Sequence, residues 1–109
     1  MMTVIQALKD EIYYPIPIGK VKVIAVRRHL DGDAMFTAEV SETTSYKGAL
    51  ADCYYSLLQA INFSEADKSV GNLSDAQRKA ILKRANELYG EIGEKEKEDP
   101  SNPTVYINC

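Results

Sequence analysis

The sequence predicts a mainly α-helical domain, a small bundle of about four helices over 1–93, followed by a charged linker and an extended, β-prone C-terminal tail over 94–109. Three observations predict it. Thr3-Val4-Ile5-Gln6 and Ser74-Asp75-Ala76-Gln77 both have the capping-box form that opens helices. Tyr46, Ala49, Leu50, Cys53, Tyr54, Leu57 and Ile61 recur at three- and four-residue intervals, the repeat of one helical face. Finally, Glu94-Lys95-Glu96-Lys97-Glu98-Asp99 carries no apolar side chain and runs into Pro100-Ser101-Asn102-Pro103, as a solvated linker does.

The first helix is expected from about 4 to 12, with Ile5, Leu8 and Ile12 on one face. Tyr13-Tyr14-Pro15-Ile16-Pro17 ends it, because Pro15 disfavours helical geometry at Tyr14 and both prolines lack an N–H. The stretch from Lys20 to Leu30 is rich in β-branched residues, which favour a strand. Strict alternation nevertheless fails at Val23-Ile24, and Val23, Val26 and Leu30 with Ile24 make a helical stripe. Helix is the better reading, ending near Asp31-Gly32, with strand as the alternative. Asp33 to Thr44 reads as irregular chain tucked in by Met35, Phe36 and Val40, and a central helix follows from about 44 to 62. Asn62 to Leu73 reads as a loop with a turn at Gly71-Asn72 and anchors at Phe63 and Val70. The last helix presents Ile81, Leu82, Ala85, Leu88, Tyr89 and Ile92 inward and Lys79, Lys83 and Glu87 outward, and Gly90 and Gly93 are its natural stops. Thr104-Val105-Tyr106-Ile107 is short and β-prone.

The chain has 109 residues, 13 Lys+Arg against 16 Asp+Glu, and a formal charge of −3. That length suits one domain, able to bury on the order of 65% of its unfolded surface without disulfides or metal. No apolar run reaches the roughly 18–20 residues of a membrane span, and the start carries acids where a signal peptide carries bases. A soluble protein of the bacterial cytoplasm is expected, and Cys53 and Cys109, which form no CxxC pair, suit a reducing compartment. The acidic balance argues weakly against nucleic acid as the main partner.

Residues that could carry chemistry have blander explanations. His29 is the only histidine, so no two-histidine metal site or His-based triad has a second member, and beside Arg27 and Arg28 it suits the dipole of a helix end. Asp31-Gly32-Asp33 with Glu39 and Glu42 has oxygens at several places of a calcium loop, but Met35 and Phe36 stand where a ligand and the turn glycine are required. Cys53 lies on the apolar stripe as a small hydrophobe. No phosphate loop or paired-carboxylate signature is present, so no enzyme, cofactor or metal is expected. Arg78, Lys79, Lys83 and Arg84 form a basic cluster on the last helix, with Arg27 and Arg28 as a second patch, and DNA recognition is the alternative these residues support. Tyr55 sits opposite the central stripe, on a face shared with Gly48, Asp52 and Gln59, and Val105, Tyr106 and Ile107 could add as a strand to a partner. The candidate interface residues are therefore Tyr55, Arg78, Lys79, Lys83, Val105, Tyr106 and Ile107.

Thr3-Val4-Ile5-Gln6-Ala7-Leu8, Tyr14-Pro15-Ile16-Pro17 and Arg27-Arg28-His29-Leu30-Asp31, with Ala49 to Leu58, Asn62-Phe63-Ser64-Glu65 and Lys83 to Tyr89, resemble small proteins encoded in prophage regions of gut Bacteroides-type bacteria. The resemblance spans about residues 2 to 92. More distantly, the order of short helix, second helix, long helix, loop and last helix is similar to the head–tail connector proteins of tailed phages. That resemblance implies a homo-oligomer that meets neighbouring connector subunits and a portal-like ring, without catalytic residues, and with DNA contact only as channel lining. The β-branched segment from Gly19 to Val23 and the acidic linker with its tail depart from that pattern.

Overall fold

A computed structural model describes residues 2–12, 14–60 and 74–99. The expected turn at Gly71-Asn72, the anchors Phe63 and Val70, and the tail residues Val105, Tyr106 and Ile107 lie outside the described residues. Five helices are described: α1 (Val4–Glu11), α2 (Ile18–Arg27), α3 (Ala38–Ser41), α4 (Thr44–Ala60) and α5 (Asp75–Glu91). The fold is mainly helical, as expected, and α4 is the element against which all four others pack.

Both capping boxes form. Thr3 Oγ1 accepts from Gln6 N at 3.2 Å while Gln6 Oε1 accepts from Thr3 N at 2.9 Å. Ser74 and Gln77 make the same reciprocal pair at 3.1 and 2.8 Å. Two amides of the first turn of α1 find more distant partners: Val4 N donates to Ala34 O at 2.9 Å and Ile5 N to Gly32 O at 3.0 Å. With Phe36 N donating to Met2 O at 2.8 Å, these bonds lay the chain after α2 antiparallel to residues 2–5, through an isolated bridge between Thr3 and Met35.

The stretch from Ile18 to Arg27 is a helix, which removes the strand alternative, but its buried face is not the expected one. Val21, Ile24 and Ala25 enter the core, whereas Val23 and Val26 face outward. Residues 33–44, expected to be irregular, include the single turn of α3, whose start Thr37 caps by accepting from Val40 N. Thr43 plays the same part for α4, accepting from Tyr46 N at 3.1 Å.

The core runs through Val4, Ala7 and Leu8 of α1, Val21 of α2, Ala49, Cys53 and Leu58 of α4, and Ile81, Ala85 and Tyr89 of α5. Tyr46 adds to it, its ring 5.1 Å from that of Phe36 and its hydroxyl donating to the Glu11 carboxylate. Tyr54 adds a second tie to α1 by donating to Glu11 O at 3.2 Å.

Candidate functional site

Two helix ends of the same kind converge on one polar cluster. At the end of α2, Leu30 N donates to Ala25 O and His29 N to Val26 O, the paired bonds of a Schellman motif, with His29 in the left-handed region at φ 58°. At the end of α5, Glu94 N donates to Tyr89 O at 2.8 Å and Gly93 N to Gly90 O at 3.2 Å, with Gly93 at φ 79°. The first turn leaves Arg28 at the helix end and the second swings Glu94 to meet it. His29, expected only to complement the helix dipole, is thus the residue that reverses the chain.

Arg28 is held by two carboxylates. Its Nε and Nη2 donate to Asp52 Oδ2 and Oδ1 at 2.7 and 3.0 Å, and its Nη1 and Nη2 donate to Glu94 Oε2 and Oε1 at 2.6 and 3.1 Å. These bonds, Asp52 first and Glu94 second, raise the Arg28 pKa further above its already high range. The bond from Arg28 lowers the Glu94 pKa from its ordinary value. Tyr89, fully buried, donates its hydroxyl to Asp52 Oδ1 at 2.6 Å. Burial, then this bond, raises its pKa well above the ordinary range, so the phenol is a fixed donor. A shallow cleft of about 310 Å³ opens beside this cluster, lined by Arg27, Arg28, His29, Thr44, Ser45, Ile92 and Glu94.

From Glu94 the chain runs as an extended strap across α4 and α5. Asn86 grips Lys97 by both backbone groups, Nδ2 donating to Lys97 O at 2.9 Å and Oδ1 accepting from Lys97 N at 2.8 Å. The Lys97 ammonium stands 4.7 Å from the centroid of the Tyr89 ring. Tyr55 donates to Glu98 O at 2.9 Å, and Arg78 forms a two-bond ion pair with Asp99. Residues 94–99, expected to be a solvated linker, are therefore bound to the helical body.

The candidate interface residues fall into three groups. Tyr55 and Arg78 are brought together beneath the strap, where Tyr55 is half-buried and Arg78 only 7% exposed. Their polar groups serve the chain itself rather than facing outward. Lys79 and Lys83 are exposed on α5, while Arg84 of the same basic cluster faces Glu87 at 3.5 Å. Val105, Tyr106 and Ile107 lie outside the described residues. Gly48 and Asp52, read as part of a polar, small-residue face with Tyr55, lie under Arg28. The signal that could have found this cluster is the Gly48-to-Asp52 spacing, which puts a residue without a side chain and an acid on one helical face.

Burial pushes the Cys53 thiol up to about 12, so it is an inert core residue. Among the described residues, no group of three or more histidine, cysteine or carboxylate side chains is gathered to hold a metal ion. No helix of the described residues is long and apolar enough to cross a membrane.

A family model described as a family of unknown function, DUF6706, matches residues 2–108. The chain belongs to the DUF6706 family. No curated protein matches it, and no solved structure does. In this DUF6706 member, the match runs through the helical body and the strap alike, so the strap belongs to what the family model covers.

Proposed function

We propose that this protein is a non-enzymatic phage structural protein of the head–tail connector type, working in the bacterial cytoplasm and then in the virion, where copies associate with one another against a portal-like ring. One observation carries the reading. The large apolar side chains exposed among the described residues are Met2, Ile18, Val23, Val26 and Met35, all from the first third of the chain, while α4 and α5 keep theirs covered. A two-helix scaffold whose uncovered apolar side chains all come from the first third of the chain suits a protein that acts by docking. The helix order that motivated the resemblance also stands, with α1, α2, the long α4 and the last α5 in sequence and the single turn of α3 added.

The test is direct. A portal candidate encoded beside this chain is purified, and co-sedimentation is measured in moderate salt. Saturable binding with several copies per ring is the expected result, and failure to bind overturns the proposal. The alternative of a small DNA-binding regulator draws on Lys79 and Lys83, but Arg78 and Arg84, the other cations of that cluster, face Asp99 and Glu87. It predicts duplex binding that weakens with salt and on neutralising Lys79 and Lys83.

A further inference from the structure

Val23 and Val26 are 47% and 72% exposed on the outer face of α2. An exposed valine in a helix loses side-chain freedom without gaining packing, at about 0.5 kcal/mol relative to alanine. Two of them on one short helix are a local cost that an isolated domain has no use for. Their setting is basic: α2 carries Lys20, Lys22 and Arg27, all exposed, and no acid. None of the ion pairs among the described residues involves these three cations.

Residues 31–42 have the opposite character. They carry Asp31, Asp33, Glu39 and Glu42, all exposed, and no cation. At their centre Met35 is 51% exposed. The first half of this segment is tied to residues 2–5 by the bonds of Gly32 O, Ala34 O and Phe36 N.

We propose that the outer face of α2 docks on residues 31–42 of a second copy of this chain, Val23 and Val26 meeting Met35 while Lys22 and Arg27 meet Asp33 and Glu39. The contact names the self-association invoked by the connector reading and rests on that reading for its purpose. A nucleic acid or an anionic lipid surface would satisfy the α2 cations but would repel the acids and leave Met35 uncovered; a second copy satisfies both patches. Because the two surfaces differ, the first contact leaves one copy with its 31–42 surface free and the other with its α2 face free, and the association closes into a twofold pair or a ring, or grows.

The experiment uses the full chain and changes exposed positions only. Lys22→Glu with Arg27→Glu reverses one patch, and Asp33→Lys with Glu39→Lys reverses the other; circular dichroism checks that each variant keeps its helices. Sedimentation velocity is followed up to about 1 mM protein in low and high salt, where an exposed charge-steered contact weakens. The wild-type chain is expected to associate, each variant alone to associate at least about tenfold more weakly, and their equimolar mixture to recover, since both contacts regain opposite charges. A wild-type chain that stays monomeric in low salt overturns the proposal, as do variants that associate like wild type or a mixture that does not recover. Binding of duplex DNA or anionic vesicles that Lys22→Glu with Arg27→Glu abolishes, without self-association, also overturns it and assigns the face to that occupant. Portal co-sedimentation is scored separately, so a chain that binds the ring but fails these tests loses only this contact.

Discussion

Gly48 lies directly beneath the guanidinium of Arg28: a methyl group built on its Cα would come within 2.6 Å of Nη1 and 2.8 Å of Cζ. The close approach lets Arg28 reach Asp52 one turn further along α4 while keeping Glu94 on its outer side. Gly48 is buried in the second turn of α4, where glycine costs stability by propensity, and the contact it permits offsets that cost.

Gly48→Ala should therefore destabilise the fold by about 1–3 kcal/mol despite the better helix propensity of alanine, because Arg28 must leave its two-carboxylate seat. Gly90→Ala is the control. Nothing lies within 4 Å of a Cβ placed there, and the change should be neutral or stabilise by up to about 1 kcal/mol. Urea unfolding of the two variants compares them; equal effects would remove the role assigned to Arg28.

His29 occupies a left-handed position that glycine fills in the equivalent turn after α5. His29→Gly should raise stability by about 0.5–1 kcal/mol, and Gly93→Ala should lower it by about 1 kcal/mol or more. Gly93→Ala should also loosen the strap, since it disturbs the turn that delivers Glu94. Thermal unfolding of both variants gives the signs.

The strap is held by polar groups, so its attachment can be weakened without unfolding the body. Asn86→Ala removes both bonds to Lys97. Hydrogen exchange at the Lys97 amide should accelerate by about tenfold, from the loss of about 1–2 kcal/mol of local protection, while core amides of α4 change little. Uniform acceleration across the chain would show instead that the strap and the body open together.

Alkali should destabilise the protein from about pH 9 upward. Burial raises the pKa of Tyr46, Tyr89 and Cys53, with added contributions from Glu11 at Tyr46 and Asp52 at Tyr89 and Cys53. A raised folded-state pKa means that the unfolded chain loses its proton first. The stabilisation is complete below the unfolded values of 9.0 for the cysteine and 10.0 for the tyrosines, and falls as pH rises past them toward the folded values, about 12 for Cys53. Urea midpoints should be level between about pH 6 and 8 and drop above about pH 9, and the drop should shrink in Tyr46→Phe with Tyr89→Phe.

The legible parts of the fold were those with local signals. The reciprocal bonds of Thr3 with Gln6 and of Ser74 with Gln77 span three residues, and the stripe through Tyr46, Ala49, Cys53 and Leu57 repeats within one helix. The face of α2 is not legible from periodicity, which treats every apolar residue as a candidate for burial, and Val23 and Val26 are apolar residues left outside. The strap left no trace of that kind. Residues 94–99 have no apolar side chain, and their partners Arg28, Tyr55, Arg78 and Asn86 lie 66, 43, 21 and 11 residues away. Polar pairings at such separations have no period, so Tyr55 and Arg78 looked available when the strap already occupies them.

The bonds from Val4 and Ile5 to the carbonyls of Ala34 and Gly32 bear on the timing of folding. At eight residues, α1 is shorter than the roughly 12–15 needed for a helix to persist alone in water. Part of its first turn is completed by chain that follows α2. During synthesis α1 emerges before the groups that hold it exist, so its ordering waits on the arrival of a later segment. Although drawn first in the element order, it is secured by a non-local event, and changes at Gly32 or Ala34 should alter how fast the amino-terminal helix is recruited as well as how firmly it stays.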